Sequence, residues 1–178
     1  MLFWSAVAFA IVVIIGTSLL LVTIGYHLLF LGCPFVPTPT RIAKEMAQFV
    51  QLKGNERVYD LGAGDGAVLI NVKRAYPGVQ AIGFEKVITV WWWGKLRIWL
   101  SGQKVDLRRG DMFSVDLADA QVIYLYLIPH LMGKLEPKLD AELKPGTIVI
   151  SHAFSFPNRK PLEEKRMPSG ALLLRYVW

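Results

Sequence analysis

The pattern of apolar and polar positions divides the chain into two unequal parts. Residues 2–31 form one long, mainly apolar run without a charged residue, whereas the rest alternates between short apolar runs and amphipathic stretches. In the second part, β-branched and aromatic runs predict strands at 57–61, 79–84, 105–108, 120–127, 147–151 and 171–177. Stretches between them predict helices at 67–75, 86–101 and 129–143, the last broken or restarted at Pro137.

A further helix is predicted ahead of the first strand. Its apolar stripe consists of Ile42, Met46, Phe49 and Val50, and Thr38 is placed to cap it with Pro39 at its first position. Strands that alternate with helices imply βαβ units and a parallel α/β sheet. Sheets of this kind bind ligands at the carboxyl ends of their strands.

The apolar run predicts a transmembrane anchor over residues 1–32. As a helix, 30 residues would span about 45 Å, against a hydrocarbon core of about 30 Å, and tilting accommodates the excess. Trp4 at one end, and Tyr26 with His27 at the other, suit interfacial positions. A signal peptide would need a basic start and a shorter apolar core. A buried core helix is disfavoured because every face is apolar.

Charge predicts the orientation of this anchor. No Lys or Arg precedes Arg41, while Lys44 and Lys53 follow it closely. The positive-inside bias therefore places the C-terminal domain on the cytoplasmic side of a membrane, or on the matrix side of an organelle. Between the two parts, residues 33–40 form a Pro-rich linker, which favours an extended spacer. The domain itself is predicted to span residues 41–178.

Composition narrows the function classes. All charged residues lie at or after Arg41, where they reach about a quarter of the positions, the usual density of a soluble domain. A single cysteine, Cys33, excludes a disulfide scaffold and a multi-cysteine zinc module. The three histidines form no ligand cluster in the sequence, so no metal is expected. The net charge of +6 comes from scattered residues, which an anionic lipid surface explains without a nucleic-acid partner.

The most informative stretch is Val-Tyr-Asp-Leu-Gly-Ala-Gly-Asp-Gly, residues 58–66. A strand ends there in three glycines at alternate positions, which permits a tight turn and the close approach of a ligand. A ligand-free turn is one interpretation. A dinucleotide site is another, because Gly62, Gly64 and Ala67 fit the looser glycine fingerprint and Glu85 follows at the expected spacing. However, the carboxylates of Asp60 and Asp65 would repel a pyrophosphate.

These residues resemble motif I of the class I, seven-strand S-adenosylmethionine-dependent methyltransferases. The resemblance implies a Rossmann-like methyltransferase sheet with S-adenosyl-L-methionine as the cofactor. It also implies that Glu85 binds the ribose and that Asp111 and Met112, after the third strand, contact the adenine. The motif I residues that the resemblance assigns to the cofactor are Asp60, Gly62, Ala63, Gly64, Asp65 and Gly66.

A narrower resemblance rests on Pro-Phe-Val-Pro-Thr-Pro, Tyr-Leu-Ile-Pro and Leu-Lys-Pro-Gly-Thr-Ile-Val-Ile-Ser-His-Ala-Phe. These segments are similar to membrane-anchored lysine methyltransferases related to the ATP synthase c-subunit and ADP/ATP translocase enzymes. The resemblance implies methylation of a lysine in a protein, with the bilayer as a further partner. A lipid or small-molecule methyltransferase and a non-catalytic S-adenosylmethionine-binding module remain alternatives.

Few residues are available for the chemistry beyond cofactor binding. Tyr126 lies near the carboxyl end of the fourth strand and is the candidate to contact the amine or the methyl group, with a packing role as the alternative. Ser151 and His152 end the fifth strand and are candidates to line the substrate pocket. Thr38 is a candidate substrate residue on resemblance alone. The amine-binding Asn/Asp-Pro-Pro-Tyr/Phe motif of many nucleic-acid methyltransferases is absent after the fourth strand.

Four tryptophans in the predicted helix at 86–101 require a separate explanation. Trp91, Trp92 and Trp93 are consecutive, and consecutive helical positions point about 100° apart, so with Trp99 they cannot all face one core. Some of them are therefore expected to contact a bilayer or an apolar partner. A crowded core helix is the alternative.

Overall fold

The computed structural model describes residues 2–26 and 35–178, so the predicted positions of His27, Cys33 and Pro34 lie outside the described residues. The chain forms two compact units, Met1–Val36 and Pro37–Trp178. The helices are α1 (Leu2–Tyr26), α2 (Thr40–Gln48), α3 (Ala67–Ala75), α4 (Ile88–Ser101) and α5 (Pro129–Glu142). The strands are β1 (Arg57–Leu61), β2 (Gln80–Glu85), β3 (Asp106–Arg109), β4 (Val122–Leu125), β5 (Ile148–His152), β6 (Glu163–Arg166) and β7 (Leu172–Val177).

Helix α1 is apolar on every face. Its segment Trp4–Gly25 has 22 residues and a mean hydropathy of 2.8, which is long and apolar enough to cross a membrane. The hydroxyl of Thr17 donates to the carbonyl of Val13 at 3.0 Å, and that of Thr23 to the carbonyl of Leu19 at 2.8 Å. These hydroxyls are therefore satisfied within the helix, as an apolar surrounding requires. Length and composition identify α1 only as a candidate span.

The second unit is built on one seven-stranded sheet in the order β3-β2-β1-β4-β5-β7-β6. Strands β1 to β5 are parallel, as the alternation of strands and helices predicts. Strand β7 instead runs antiparallel to both β5 and β6, so the parallel pairing predicted from βαβ units ends at β5. The reason is local, because β6 and β7 are joined by a short turn rather than by a crossover helix.

Both faces of the sheet are covered, which gives two apolar layers. In β4, Val122 and Tyr124 join the layer beneath α2 and α3, whereas Ile123 and Leu125 join the layer beneath α5. This alternation follows from the two-residue period of a strand. All four β4 residues are buried because neighbouring strands and helices enclose them, as is usual for the central strand of a parallel sheet.

Three local predictions need correction. Pro39, not Thr38, is the N-cap of α2, so the helix begins one residue later than the capping prediction. Helix α5 continues through Pro137, because Leu135 and Leu139 on either side are fully buried and hold it in place. Strand β6 was not predicted, since Glu-Glu-Lys-Arg has no apolar position to reveal it.

Candidate active site

The glycine turn joins β1 to α3 at the carboxyl edge of the sheet. The backbone N–H groups of Gly62 and Ala63 both donate to the carbonyl of Phe84 at 2.9 Å, which fixes the turn against β2. Gly66 is the N-cap of α3 and adopts the left-handed conformation, with φ of +76°. A side chain there would be strained, and its Cβ would lie 3.0 Å from Ile98. The result is an open backbone surface directly after β1.

Asp60 lies in β1 just before this turn and is buried. Burial, together with the nearby carboxylates of Glu85 and Asp65, raises the pKa of Asp60 to about 8. Loss of hydration is the main cause, because a charged carboxylate is disfavoured where water is excluded. A cationic ligand in this position would relieve the penalty, whereas a phosphate would increase it.

Glu85, the last residue of β2, is bound to the glycine turn. One carboxylate oxygen accepts a hydrogen bond from the Gly64 N–H at 3.0 Å, and the other accepts one from the Val87 N–H at 2.8 Å. Each carboxylate oxygen can accept more than one bond, so capacity remains for ribose hydroxyls. Glu85 therefore positions the turn and also presents acceptors at the sheet edge.

Asp111 follows β3, and its carboxylate is held from two sides. It accepts a hydrogen bond from the Phe113 N–H at 3.0 Å and another from the Lys86 ammonium at 2.9 Å. Partial burial alone would raise the pKa of Asp111, but these two bonds outweigh it and hold the pKa below its usual range. The neighbouring Met112 is half-buried against the apolar layer beneath α5. Asp60, Glu85 and Asp111 thus stand at the carboxyl ends of three adjacent strands.

Asp65, in the glycine turn, pairs with the Arg97 guanidinium of α4 and also accepts a hydrogen bond from the Ala67 N–H at 3.2 Å. These contacts join the turn to α4, and Gly94 brings the same helix against the Gly64 carbonyl. Arg97 is a contact of the candidate site that sequence reasoning missed, because it is distant in sequence from Asp65 and belongs to no motif. The predicted contact of Asp65 with the cofactor stays a prediction.

Tyr126 and His152 meet at the carboxyl ends of β4 and β5. Their rings are 4.3 Å apart between centroids and tilted by 50°. The sequence predicts both residues at the site, and the pairing of Leu125 with Ser151 explains why they are neighbours. Burial lowers the pKa of His152, so its imidazole is neutral at physiological pH. Its Nδ1 atom is buried and has no hydrogen-bond partner within the described part of the chain.

The backbone after His152 is strained. Ala153 has φ of +70°, a left-handed conformation that costs a residue with a Cβ about 1–2 kcal/mol. Two bonds hold it there: the Ser151 hydroxyl donates to the Phe154 carbonyl at 2.6 Å, and the Ala153 N–H donates to the Leu172 carbonyl at 2.9 Å. Ser151 is fully buried, so the structure gives it a role in shaping this turn. Strain of this kind concentrates at functional sites.

The described contacts do not join Thr38 to the other predicted site residues. It is half-buried in the extended segment before α2. No described hydrogen bond or ring contact joins it to Tyr126 or His152. Within residues 2–26 and 35–178, no group of three His, Cys, Asp or Glu side chains could hold a metal ion.

The residues at this edge fit S-adenosylmethionine. The open glycine turn admits a close ligand, the buried carboxyl of Asp60 suits a cation, and Glu85 presents acceptors for hydroxyl groups. The same carboxylates disfavour the pyrophosphate of a dinucleotide. The fold and the site together define a class I S-adenosylmethionine-dependent methyltransferase.

Comparison with known proteins identifies the family. Residues 60–163 match the ANTKMT methyltransferase domain. A protein-lysine N-methyltransferase of Saccharolobus islandicus (strain REY15A) is 32% identical over 139 residues, which are 77% of this chain and 86% of that protein. The chain belongs to the family of the ANTKMT methyltransferase domain. Membership of this family supports an S-adenosylmethionine-dependent methyltransferase rather than a non-catalytic binding module.

Two further relatives are named for different activities. The lysine N-methyltransferase of the ATP synthase c-subunit from Rattus norvegicus is 31% identical over 130 residues, 72% of this chain and 59% of that longer protein. The crystal structure of an RNA methyltransferase from Salinibacter ruber in complex with S-adenosyl-L-homocysteine superposes with a TM-score of 0.75 and 31% identity. That match covers 80% of this chain and 93% of the other. The bound product in that structure agrees with the cofactor assigned above.

Proposed function

We propose that this enzyme is a membrane-anchored protein-lysine N-methyltransferase that acts on a lysine of a membrane-associated protein. The observation that carries the proposal is the Tyr126–His152 pair, which lies at the same sheet edge as the three cofactor acids. An aromatic ring and a neutral imidazole suit an amine that must lose its proton. The names of the relatives, which include a translocase lysine methyltransferase from Mus musculus, support lysine as the acceptor.

The cofactor would be held by the residues that the class resemblance assigns. Glu85 is proposed to accept hydrogen bonds from the ribose, Asp111 with Met112 to contact the adenine, and the glycine turn with Asp60 to hold the amino-acid end. S-adenosylmethionine, when bound, supplies a methyl group on a cationic sulfur, which the lone pair of a neutral amine attacks as the carbon–sulfur bond breaks. The enzyme therefore contributes alignment and an unprotonated acceptor.

The acceptor amine would be prepared by Tyr126 and His152. Because burial keeps the imidazole of His152 neutral, the ring places no positive charge beside the amine, and the amine keeps access to its own neutral form. The hydroxyl of the half-exposed Tyr126 is proposed to orient the amine. An apolar surrounding further favours the neutral amine, since desolvation lowers the pKa of a lysine. Ser151 would act indirectly, through the turn that places His152, and Thr38 stays a candidate for substrate contact.

The proposed anchor would place the catalytic domain at the membrane surface. We propose that residues 1–32 hold the enzyme in a bilayer, that residues 33–40 form the linker, and that residues 41–178 form the catalytic domain on the cytoplasmic or matrix side. The short linker confines the domain to the membrane surface, which raises the effective concentration of membrane-bound substrates. Helix α1 supports this proposal because its segment Trp4–Gly25 carries no charged residue and has a mean hydropathy of 2.8.

One experiment separates the substrate classes. The purified full chain is incubated with S-adenosylmethionine labelled at the methyl group and with native membranes. Label in a protease-sensitive band that yields methyl-lysine supports the proposal. Label in the organic extract supports the lipid alternative. Label sensitive to ribonuclease supports an RNA substrate, which the name of the Salinibacter relative makes worth testing.

The side of the membrane on which the catalytic domain lies is tested separately. A reporter fused after Trp178 is expected to be active only in its cytoplasmic form. Protease access to the C-terminal domain from outside intact cells would contradict the proposed orientation. Membrane proteomics of a deletion strain should show methyl-lysine lost from membrane proteins, and loss confined to soluble proteins would reject the membrane-associated substrate.

A further inference from the structure

Helix α4 exposes an apolar stripe that the catalytic site does not use. We call it the tryptophan face of α4, and its members, between 45% and 75% exposed, are Ile88, Trp92, Trp93, Leu96, Trp99 and Leu100. Positions 88, 92, 96 and 100 are four residues apart, so they form one continuous stripe along the helix. Contiguous apolar surface of this kind on a folded domain marks an interaction site.

The stripe is not the result of a poorly packed helix. On the opposite side, Val90, Gly94 and Ile98 are buried. Trp91 is partly buried, and its indole N–H donates to the Leu107 carbonyl at 3.1 Å. Helix α4 is therefore fixed to the sheet, and its exposed side chains are held outward by that packing.

The charges around the stripe indicate which partner it contacts. Helix α4 contains no Asp or Glu, and its charged residues, Lys95 and Arg97, are both basic. Lys86 precedes the helix and Lys104 follows it. Because Arg97 is paired with Asp65 and Lys86 with Asp111, the positive charge beside the stripe comes mainly from Lys95 and Lys104. Tryptophan and leucine beside lysine are the residues that interfacial helices present to lipid. The positive charge complements anionic headgroups, whereas an ordinary protein partner gives no reason for the complete absence of acidic residues.

Chain connectivity keeps this stripe within reach of a membrane that contains α1. Only residues 27–39 separate the end of α1 from the start of α2. Thirteen residues span at most about 45 Å even when fully extended. We propose that the tryptophan face of α4 lies in the interface of an anionic lipid bilayer and forms a second membrane contact.

This contact would fix the orientation of the catalytic domain as well as its distance from the membrane. Helix α4 contacts the glycine turn at two points. These are the Arg97–Asp65 ion pair and the close approach of Gly94 to the Gly64 carbonyl. A bilayer bound to the outer face of α4 would therefore hold the site in one orientation towards membrane-bound substrates. The inference does not depend on whether the substrate is a protein or a lipid.

The test measures the depth of labelled positions in the full chain. Cys33 is the only cysteine, so a Cys33→Ser background allows a nitroxide at Leu100→Cys or, as a second position, at Trp92→Cys. Leu162→Cys is the matched control, because Leu162 is an apolar residue outside α4 that is 67% exposed, close to the 68% of Leu100. The labelled chains are reconstituted in phosphatidylcholine vesicles with about 30% phosphatidylglycerol. Unchanged binding of S-adenosylmethionine confirms that each variant is folded.

The labels on α4 and the control label at position 162 are expected to differ in their accessibility to oxygen and to a water-soluble reagent. Labels at 92 and 100 should be several-fold more accessible to oxygen than to a water-soluble nickel complex, while the label at 162 should be open to the complex. Equal access of the nickel complex to positions 100 and 162 would overturn the proposal. Shielding from both agents would also overturn it, because a protein, such as a second copy of this chain, would then cover the face.

Two arms separate this inference from the proposed anchor. Flotation of the chain with the vesicles reports membrane attachment, which α1 can provide alone. A chain that does not float with the vesicles would contradict the proposed anchor. A chain that floats while its labels at 92 and 100 stay exposed to water would contradict the bilayer contact of the tryptophan face of α4. In vesicles of phosphatidylcholine alone the shielding at 92 and 100 should weaken, and unchanged shielding would refute the role of anionic lipid.

Discussion

Replacing Asp60 by asparagine should stabilise the cofactor-free protein while it weakens cofactor binding. The substitution keeps the size and most of the shape of a buried side chain and removes only its ability to ionise. In the wild-type protein, burial and the neighbouring carboxylates of Glu85 and Asp65 raise the pKa of Asp60 from 3.8 to about 8. Cofactor binding would then use a negative charge on Asp60 that destabilises the folded domain when the cofactor is absent.

The magnitude follows from the two pKa values. Because the folded-state pKa is higher than the unfolded-state value, Asp60 favours folding only when protonated, and this contribution is lost as the pH rises through about 8. The wild-type protein is therefore penalised, relative to a non-titrating residue, by about 2 kcal/mol at about pH 5 and by about 5 kcal/mol at about pH 8. Asp60→Asn has no such penalty. Its advantage should grow by about 3 kcal/mol across this interval, as an upper bound.

The assay is thermal unfolding of the full chain in mild detergent, without cofactor, followed by tryptophan fluorescence. For a domain of this size, about 3 kcal/mol corresponds to a difference in Tm of about 10 °C. The control is Asp106→Asn, which makes the same chemical change at a half-exposed carboxylate. Parallel profiles for wild type and Asp60→Asn would refute the reasoning. So would cofactor affinity that is unaffected by the substitution.

Three further predictions concern the same edge of the sheet. Glu85→Ala should weaken S-adenosylmethionine binding by about 2 kcal/mol, as calorimetry would measure, because bonds to a charged acceptor are lost. Gly94→Ala should lower both Tm and cofactor affinity, since its Cβ would lie 2.8 Å from the Gly64 carbonyl oxygen and 2.6 Å from Leu107. Tyr126→Phe should reduce kcat while cofactor binding is nearly unchanged, measured by single-turnover methyl transfer and by calorimetry.

Each of these has a matched comparison. Glu85→Gln keeps one acceptor and should lie between wild type and Glu85→Ala, and equal affinity in all three would count against ribose contact. Gly133→Ala is the control for Gly94→Ala, because its nearest contact would be an ordinary 3.6 Å to Pro157. Equal losses from both glycine substitutions would show that helix substitution alone is responsible. A Tyr126→Phe enzyme with unchanged kcat would assign the tyrosine to packing.

The parts of the site that sequence predicts are those encoded locally. Asp60 and Glu85 each lie at the end of a buried apolar run, and a parallel sheet brings such ends to one edge. Tyr126 and His152 follow the same rule on adjacent strands. The residue types there also leave little freedom, since a turn with three glycines after a strand has few other uses.

Features that depend on distant contacts could not be predicted in this way. The Arg97–Asp65 pair joins residues from different elements, and no local pattern identifies the partner. The left-handed Ala153 depends on bonds to Phe154 and Leu172, so its own residue type gives no indication. Strand β6 takes its conformation from pairing with β7 rather than from apolar alternation.

The two outer strands of the sheet have a consequence for a protein held at a surface. One edge is β3, Asp-Leu-Arg-Arg, and the other is β6, Glu-Glu-Lys-Arg, so seven of these eight positions carry charge. An unpaired strand offers backbone groups to any neighbouring chain, and charged side chains obstruct such pairing. Confinement to two dimensions increases the rate at which copies meet edge to edge. With the proposed anchor in a bilayer, the charged borders would therefore allow the enzyme to be crowded in a plane without its sheets joining into larger aggregates.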